Sequence, residues 1–369
     1  MNLPFPIERP TLLLNKVRTF KNIQRMSEKV LRSKVIFRPH FKTHQSAEIG
    51  KWFKNFGVRS ITVSSLDMAQ YFAKNNWNDI TVAFPVNILE IKKINELASQ
   101  VDLGLLVESS EVVQQLGQKL QHNVNIWIKI DVGAGRTGIF WKKFSEILNI
   151  VKEIDNYARM NLSGILTHAG QSYRAKSRTE IEFIYYDQVQ LMLKVKEYLS
   201  SNGIEKLKIS IGDTPCCSIV DNFAEVDEIR PGNFVFYDTM QLQIGSCSEE
   251  DIAVAVACPI VAIHENKYEI IVYGGAVHLS KDFIISQDNT PIYGYVATPN
   301  SDGWGRILPE TYVAGLSQEH GIIKSTPSFI KQVAIGDSLI ILPVHSCLTV
   351  NQMREYYTIK GKRIKTRLS

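Results

Sequence analysis

The sequence predicts an α/β fold, a (β/α)8 barrel over residues 1–244 followed by a mainly β domain over residues 245–369. Three observations predict it. From about residue 30 to residue 240, short apolar runs rich in β-branched residues alternate with longer segments of helical character, the pattern of repeated βα units. Eight such runs can be counted, the strand number of a closed parallel barrel. After about residue 245 strands follow one another without intervening helices, separated by Gly, Pro and Asn.

The expected barrel strands are 35–37, 60–63, 79–83, 103–107, 124–130, 162–166, 207–211 and 228–230. Between them, residues 65–75, 88–99, 109–121, 142–157 and 181–203 are each long enough for a crossover helix. In the second domain, residues 253–263, 268–272, 322–326 and 338–342 read as strands. No internal repeat, low-complexity tract or long linker interrupts them.

A chain of 369 residues exceeds one ordinary compact core, so two domains are expected. Apolar residues at 44% and charged residues at 21% exclude a disordered chain. The net charge of +5 is spread along the sequence except for a basic tail, Lys360 to Arg367, which reads as a solvated terminus; no nucleic-acid partner is expected. Five cysteines without a CxxC pair suggest neither a disulfide framework nor a zinc finger. The start, Met1 to Glu8, lacks a basic region followed by an apolar stretch, and no apolar run is long enough to span a bilayer. A soluble cytoplasmic protein without a membrane partner is expected.

Immediately after the first expected strand comes Arg38-Pro-His40-Phe-Lys42-Thr-His44, a lysine at the carboxyl end of a barrel strand among two histidines and an arginine. Barrels place their catalytic groups there. Crowded cations favour the neutral form of an amine, and a neutral amine attacks aldehydes, so the setting suits a Schiff-base lysine as well as an ordinary surface one.

This segment resembles the Arg-Pro-His-x-Lys-Thr-His motif of the D-threonine aldolases and zinc-dependent D-serine dehydratases, pyridoxal-phosphate enzymes of the alanine racemase fold (fold type III). Asp131 to Gly138, Thr167 to Gly170, Gly212 to Pro215, Arg230 to Tyr237, Gly274 to His278, Ser317 to His320 and Pro343 to Cys347 resemble further blocks of that family, in family order. The resemblance implies that Lys42 binds pyridoxal 5'-phosphate, with His40 beside it. It also implies a head-to-tail homodimer.

Each block has its own physical reading. Gly133-Ala-Gly-Arg136 ends a strand with glycines that let a planar ring approach, and Arg136 offers a fork of donors. The resemblance points to Arg136 as partner of the pyridine nitrogen, yet Arg230 resembles the arginine with that role in alanine racemase, and both stay open. Gly212-Asp213-Thr214 follows the seventh strand and Gly232-Asn233 the eighth, where barrels hold phosphates. Tyr173 is a candidate to add a hydroxyl there.

His345-Ser-Cys347 places an imidazole and a thiol two residues apart, on one face of an expected extended segment, a spacing that chelates zinc or another divalent metal with positions left open. By resemblance the dehydratases carry His-x-Cys and the aldolases His-x-Asp. Gln171 stands where the aldolases have a histidine; glutamine cannot act as a general base, while nearby His168 is a candidate to compensate.

The resemblance therefore implies a lyase acting on a β-hydroxy D-amino acid, a D-serine dehydratase by preference. The alternatives are D-threonine or 3-hydroxy-D-aspartate aldolase, an amino-acid racemase, and a non-catalytic cofactor carrier, which would lack the second domain.

Overall fold

The computed structural model describes residues 5–369. Met1 to Pro4, part of the start read for a leader, lie outside the described residues. The chain forms two compact units that interleave along the sequence: residues 25–42 and 53–232 make one, and residues up to 24, 43–52 and 233–369 make the other.

In the first unit, eight parallel strands form a nearly closed barrel. In chain order after β1 (Thr11–Leu14), which belongs to the other unit, they are β2 (Ile36–Phe37), β3 (Ser60–Val63), β4 (Asp79–Pro85), β5 (Asp102–Val107), β6 (Val124–Asp131), β8 (Met160–Leu166), β9 (Lys208–Ile211) and β10 (Glu228–Ile229). The spatial order is β2-β10-β9-β8-β6-β5-β4-β3, and a short β7 (Ile139–Phe140) pairs with β6 off this path. Past the end of β2, a bridge between His40 and Thr62 joins the two end strands. These are the eight strands expected, with ends moved by at most two residues.

The crossover helices begin where short polar side chains take over orphan N–H groups. Ser65, Ser109 and Ser177 each sit in extended conformation and accept from the N–H three residues on, opening helices Leu66–Ala73, Ser110–Gly117 and Arg178–Ser201. Leu66, Met68, Ala69 and Phe72 form the buried stripe of the first of these. Phe41, in the turn after β2, is fully buried and packs its ring on Phe53, Phe72 and Trp77, which fixes that turn at the barrel end.

In the second unit the strands are β11 (Val254–His264), β12 (Glu269–Tyr273), β13 (Ile284–Ile285), β14 (Pro291–Ile292), β15 (Gly294–Asn300), β16 (Gly303–Leu316), β17 (His320–Lys324), β18 (Ser338–Pro343), β19 (Glu355–Thr358) and β20 (Arg363–Lys365). Six of them close an antiparallel ring in the order β12-β17-β16-β15-β18-β11, with β11 returning to β12. The ring is extended by β1, β19 and β20, since Leu13 of β1 faces Ala255 of β11 on one side and Tyr357 of β19 on the other. The strand expected at residues 322–326 lies two residues earlier, and the β15–β16 hairpin was not expected at all.

The basic tail is ordered. Arg363 in β20 pairs with Glu355, Lys362 bonds Glu48 at 2.5 Å, and Arg367 bonds the Gln45 side chain at 2.9 Å. Among the described residues, no helix is long and apolar enough to cross a membrane.

Candidate active site

Lys42 is exposed in the turn that follows β2, at the carboxyl end of the barrel. Its backbone N–H donates to His40 Nδ1 at 3.3 Å, and the His40 N–H donates to Pro231 O at 2.9 Å, so two strand ends define its position. Two of the cations expected around it do not act as such. Arg38 turns into the barrel and is neutralised by Asp79 and by Glu228, whose carboxylate is 2.6 Å away. His44 is buried, and burial pushes its pKa down to about 3, with the Ser46 N–H on its Nδ1.

A polar chain runs through the barrel interior from Arg38 to the rim. Glu228 accepts from Arg38 Nε at 2.6 Å and from Ser210 Oγ at 2.7 Å. Ser210 Oγ in turn accepts from Arg230 Nε at 2.7 Å, and a terminal nitrogen of Arg230 donates to the carbonyl of Thr167. Arg230 is buried, and burial lowers its pKa to about 10 despite Glu228. Its remaining terminal nitrogen has no protein acceptor among the described residues, so the fork is anchored on one edge and available on the other. Arg136, the other candidate, is exposed on the glycine loop after β6. That loop is tied back by Asp131 Oδ1, which accepts from Gly133 N at 3.0 Å and Gly135 N at 3.1 Å, both glycines having positive φ.

The half-buried ring of His168 follows β8, with Nδ1 against the carbonyl of Gly212. A carbonyl only accepts, so Nδ1 carries the proton and Nε2 is an acceptor. Burial, then the charges of Lys129 and Lys42, push its pKa well below the ordinary histidine value. His168 is thus a neutral ring, unsuited to donate a proton from Nε2. The Gln171 side chain donates to Val132 O at 3.3 Å, while its buried Oε1 has no partner among the described residues. A buried orphan acceptor costs about 1–3 kcal/mol unless a ligand supplies the donor.

Gly212 lies so close to Arg230 that an added Cβ would stand 2.8 Å from the Arg230 Cβ, so only glycine fits. The Asp213 carboxylate caps helix Thr214–Ile219, accepting from Cys216 N at 2.8 Å and Ser172 Oγ at 2.9 Å, and so fixes the Gly212–Thr214 loop. Thr214 N donates to Tyr173 Oη at 3.2 Å, which brings the tyrosine hydroxyl to the Gly212–Thr214 loop. Gly232 follows β10 as expected, but the Asn233 side chain points elsewhere, as described below.

Sequence reasoning missed Lys129, a buried lysine on β6. Burial, then Arg230 and Arg136, lower its pKa to about 7, against the pull of Asp131 and Glu108. A charged residue inside the apolar run Val124–Ile130 was the signal that it pointed into the barrel.

In the second unit, His345 and Cys347 lie not on one extended segment but at a strand-to-helix turn: His345 is extended and caps helix Ser346–Met353, which holds Cys347. The two side chains nevertheless lie near each other: the charge of Cys347 acts on the His345 ring, and Asp282 Oδ2 is 2.7 Å from its Nδ1. Burial opposes a charge on His345, but these two partners outweigh it and raise its pKa to about 11. Cys347 Sγ is also 3.2 Å from Thr43 Oγ1 and 3.7 Å from Asn233 Nδ2. Asn233 Nδ2 also lies 2.6 Å from Asp238 Oδ2 and 3.1 Å from Ser346 Oγ, so this side chain stands beside the thiol. Among the described residues, no group of three or more His, Cys, Asp and Glu forms a metal cluster; the pair offers one nitrogen and one sulfur.

Comparison with known proteins defines the class. The alanine racemase N-terminal domain matches residues 15–239, and a putative serine dehydratase domain matches residues 253–359. The chain belongs to the family of the alanine racemase N-terminal domain, which implies pyridoxal phosphate as cofactor. It is 30% identical over 365 residues to the D-serine dehydratase of Dictyostelium discoideum, covering 92% of this chain and 90% of that protein. It is 27% identical over 363 residues to D-threo-3-hydroxyaspartate dehydratase of a Delftia species, covering 96% and 94%. A metal-free form of a point variant of D-threo-3-hydroxyaspartate dehydratase superposes with a TM-score of 0.90 at 26% identity, over 98% of this chain and 97% of that one.

Proposed function

We propose that this protein is a pyridoxal-phosphate-dependent lyase that dehydrates a β-hydroxy D-amino acid, D-serine in the first place, to a keto acid and ammonia with the help of a divalent metal, zinc by preference. The observation that carries the reading is the placement of His345 and Cys347 two residues apart at the start of helix Ser346–Met353, near enough for the charge of the sulfur to act on the imidazole. A nitrogen and a thiolate suit a borderline-soft ion such as zinc, and two protein ligands leave room for a hydroxyl oxygen of the substrate. The dehydratase character of the relatives supports the same choice over aldol cleavage.

The residues fit the cofactor. Gly212 provides a cradle that a Cβ would fill, Arg230 an anchored guanidinium with a spare donor, and Gln171 Oε1 a buried acceptor in need of a donor. Lys42 would hold the cofactor covalently, with His40 fixing its backbone. The Gly212–Thr214 loop, Tyr173 Oη and the Gly232 backbone would take the phosphate, and Arg230, in preference to exposed Arg136, would face the ring nitrogen. When bound, pyridoxal phosphate supplies an aldehyde for amines and a sink for electron density from the substrate's α-carbon. A divalent ion on His345 and Cys347 supplies Lewis acidity toward a β-hydroxyl.

The chain's own groups do the rest. Once the substrate's amine has taken its place on the cofactor, the freed Lys42 Nζ would take the proton from the substrate's α-carbon. His168, neutral and with Nδ1 bound to Gly212, offers Nε2 only as an acceptor and orients polar groups without adding charge. Gln171 orients through its amide and removes no proton, which leaves aldol cleavage without a base at that place. A cytoplasmic homodimer that binds neither nucleic acid nor membrane completes the proposal.

The test is to incubate the purified protein with D-serine, D-threonine and 3-hydroxy-D-aspartate, with and without a chelator, and to identify products. Keto acid from D-serine, abolished by chelation, is expected. Glycine release would instead establish an aldolase, and α-proton exchange alone a racemase.

A further inference from the structure

We propose that Thr43 is a positioning residue for the metal pair: its hydroxyl donates to the Cys347 sulfur and ties that ligand to the peptide that carries Lys42. The inference rests on the reading of His345 and Cys347 as metal ligands.

Thr43 is fully buried, with Oγ1 3.2 Å from Cys347 Sγ. A metal-bound cysteine has lost its proton, so at that separation the hydroxyl is the donor. The second donor on the sulfur, Asn233 Nδ2, is itself locked by Asp238, whose Oδ2 also accepts the Ser346 N–H at 2.9 Å. Asp238 Oδ1 takes the Gln241 N–H at 3.0 Å, so this carboxylate is anchored on two sides. The sulfur thus has Thr43 Oγ1 at 3.2 Å as its nearer partner, while Asn233 Nδ2 at 3.7 Å is shared with Asp238 and Ser346.

Two consequences follow from elementary chemistry. Donors to a thiolate draw charge off the sulfur, so the metal it binds keeps more of its Lewis acidity. And because Thr43 directly follows Lys42, one dipeptide carries both the amine and the donor to the sulfur. A packing role and a donor role make opposite forecasts. Valine matches threonine in shape but cannot donate, whereas serine loses the methyl and keeps the hydroxyl.

The experiment loads cofactor-bound, metal-stripped protein with Co2+ and records the thiolate-to-cobalt charge-transfer band together with the Co2+ dissociation constant by chelator competition. Thr43→Ser should keep the wild-type band, with affinity within about threefold. Thr43→Val should move the band to longer wavelength, because the sulfur regains the charge that the hydroxyl drew off, and shift the Co2+ affinity beyond that threefold range. Retained cofactor absorbance shows that each variant has folded; if Thr43→Val does not fold, Thr43→Ala takes its place. A band and affinity unchanged in the valine or alanine variant overturn the inference alone. A wild-type protein without any thiolate band, indistinguishable from Cys347→Ser, removes the metal reading and this inference with it.

Discussion

The carboxylate of Asp282 sits 2.7 Å from His345 Nδ1, which leaves Nε2 as the ring nitrogen for a metal. Asp282→Asn should therefore weaken metal binding about 10- to 100-fold, the usual cost of losing such an outer partner. Isothermal titration of the metal-stripped protein with Zn2+ checks this; an unchanged affinity would show that the carboxylate does not orient the ring.

Lys42→Ala should abolish the absorbance of the lysine-bound cofactor and all turnover. Persistence of that band on the purified variant would place the cofactor on another amine.

Gly212→Ala introduces a methyl 2.8 Å from the Arg230 Cβ and 3.1 Å from its backbone, where nothing flexible can yield. Overpacking of this kind costs about 1–3 kcal/mol. The variant should show a lowered urea midpoint and weaker retention of pyridoxal phosphate on dialysis, because the same glycine starts the loop proposed to take the phosphate.

Glu228 is almost fully buried and holds both Arg38 and Ser210. Glu228→Gln leaves Arg38 balanced by Asp79 and should destabilise the protein by about 1–3 kcal/mol, the cost of weakening a buried charge-assisted hydrogen bond. Equilibrium unfolding in urea gives the number. Arg230 would also lose part of its anchor, so cofactor affinity should drop in parallel.

His44 has a folded pKa of about 3 against 6.5 in the unfolded chain. The unfolded form therefore binds the extra proton first, and stability falls as pH drops below 6.5, by up to about 1.4 kcal/mol per pH unit until about pH 3. Urea midpoints at pH 7 and pH 5 should differ accordingly. In His44→Asn, that part of the difference should vanish.

The barrel was legible because its strands are apolar on both faces and its helices open on serines, signals that are local in sequence. Of the proposed site, Lys42, Gly212, Arg230, His345 and Cys347 are the residues that the sequence itself singles out, by residue type and strand-end placement. Three things were not legible. The cation crowding assumed around Lys42 fails because Arg38 finds Asp79 and Glu228, carboxylates far away in sequence. Asn233 reads as a loop residue next to a glycine, and nothing local shows that its amide reaches Cys347. Asp282 precedes no recognisable ligand, and its role depends on a histidine 63 residues later.

The placement of β1 has a consequence for biogenesis. Thr11–Leu14 emerges from the ribosome early, but its neighbours in the ring, β11 and β19, are made only after the entire barrel sequence. This apolar segment must wait, unpaired and exposed to other chains, while the intervening polypeptide is synthesised. Chaperone demand during translation should accordingly centre on the amino-terminal strand.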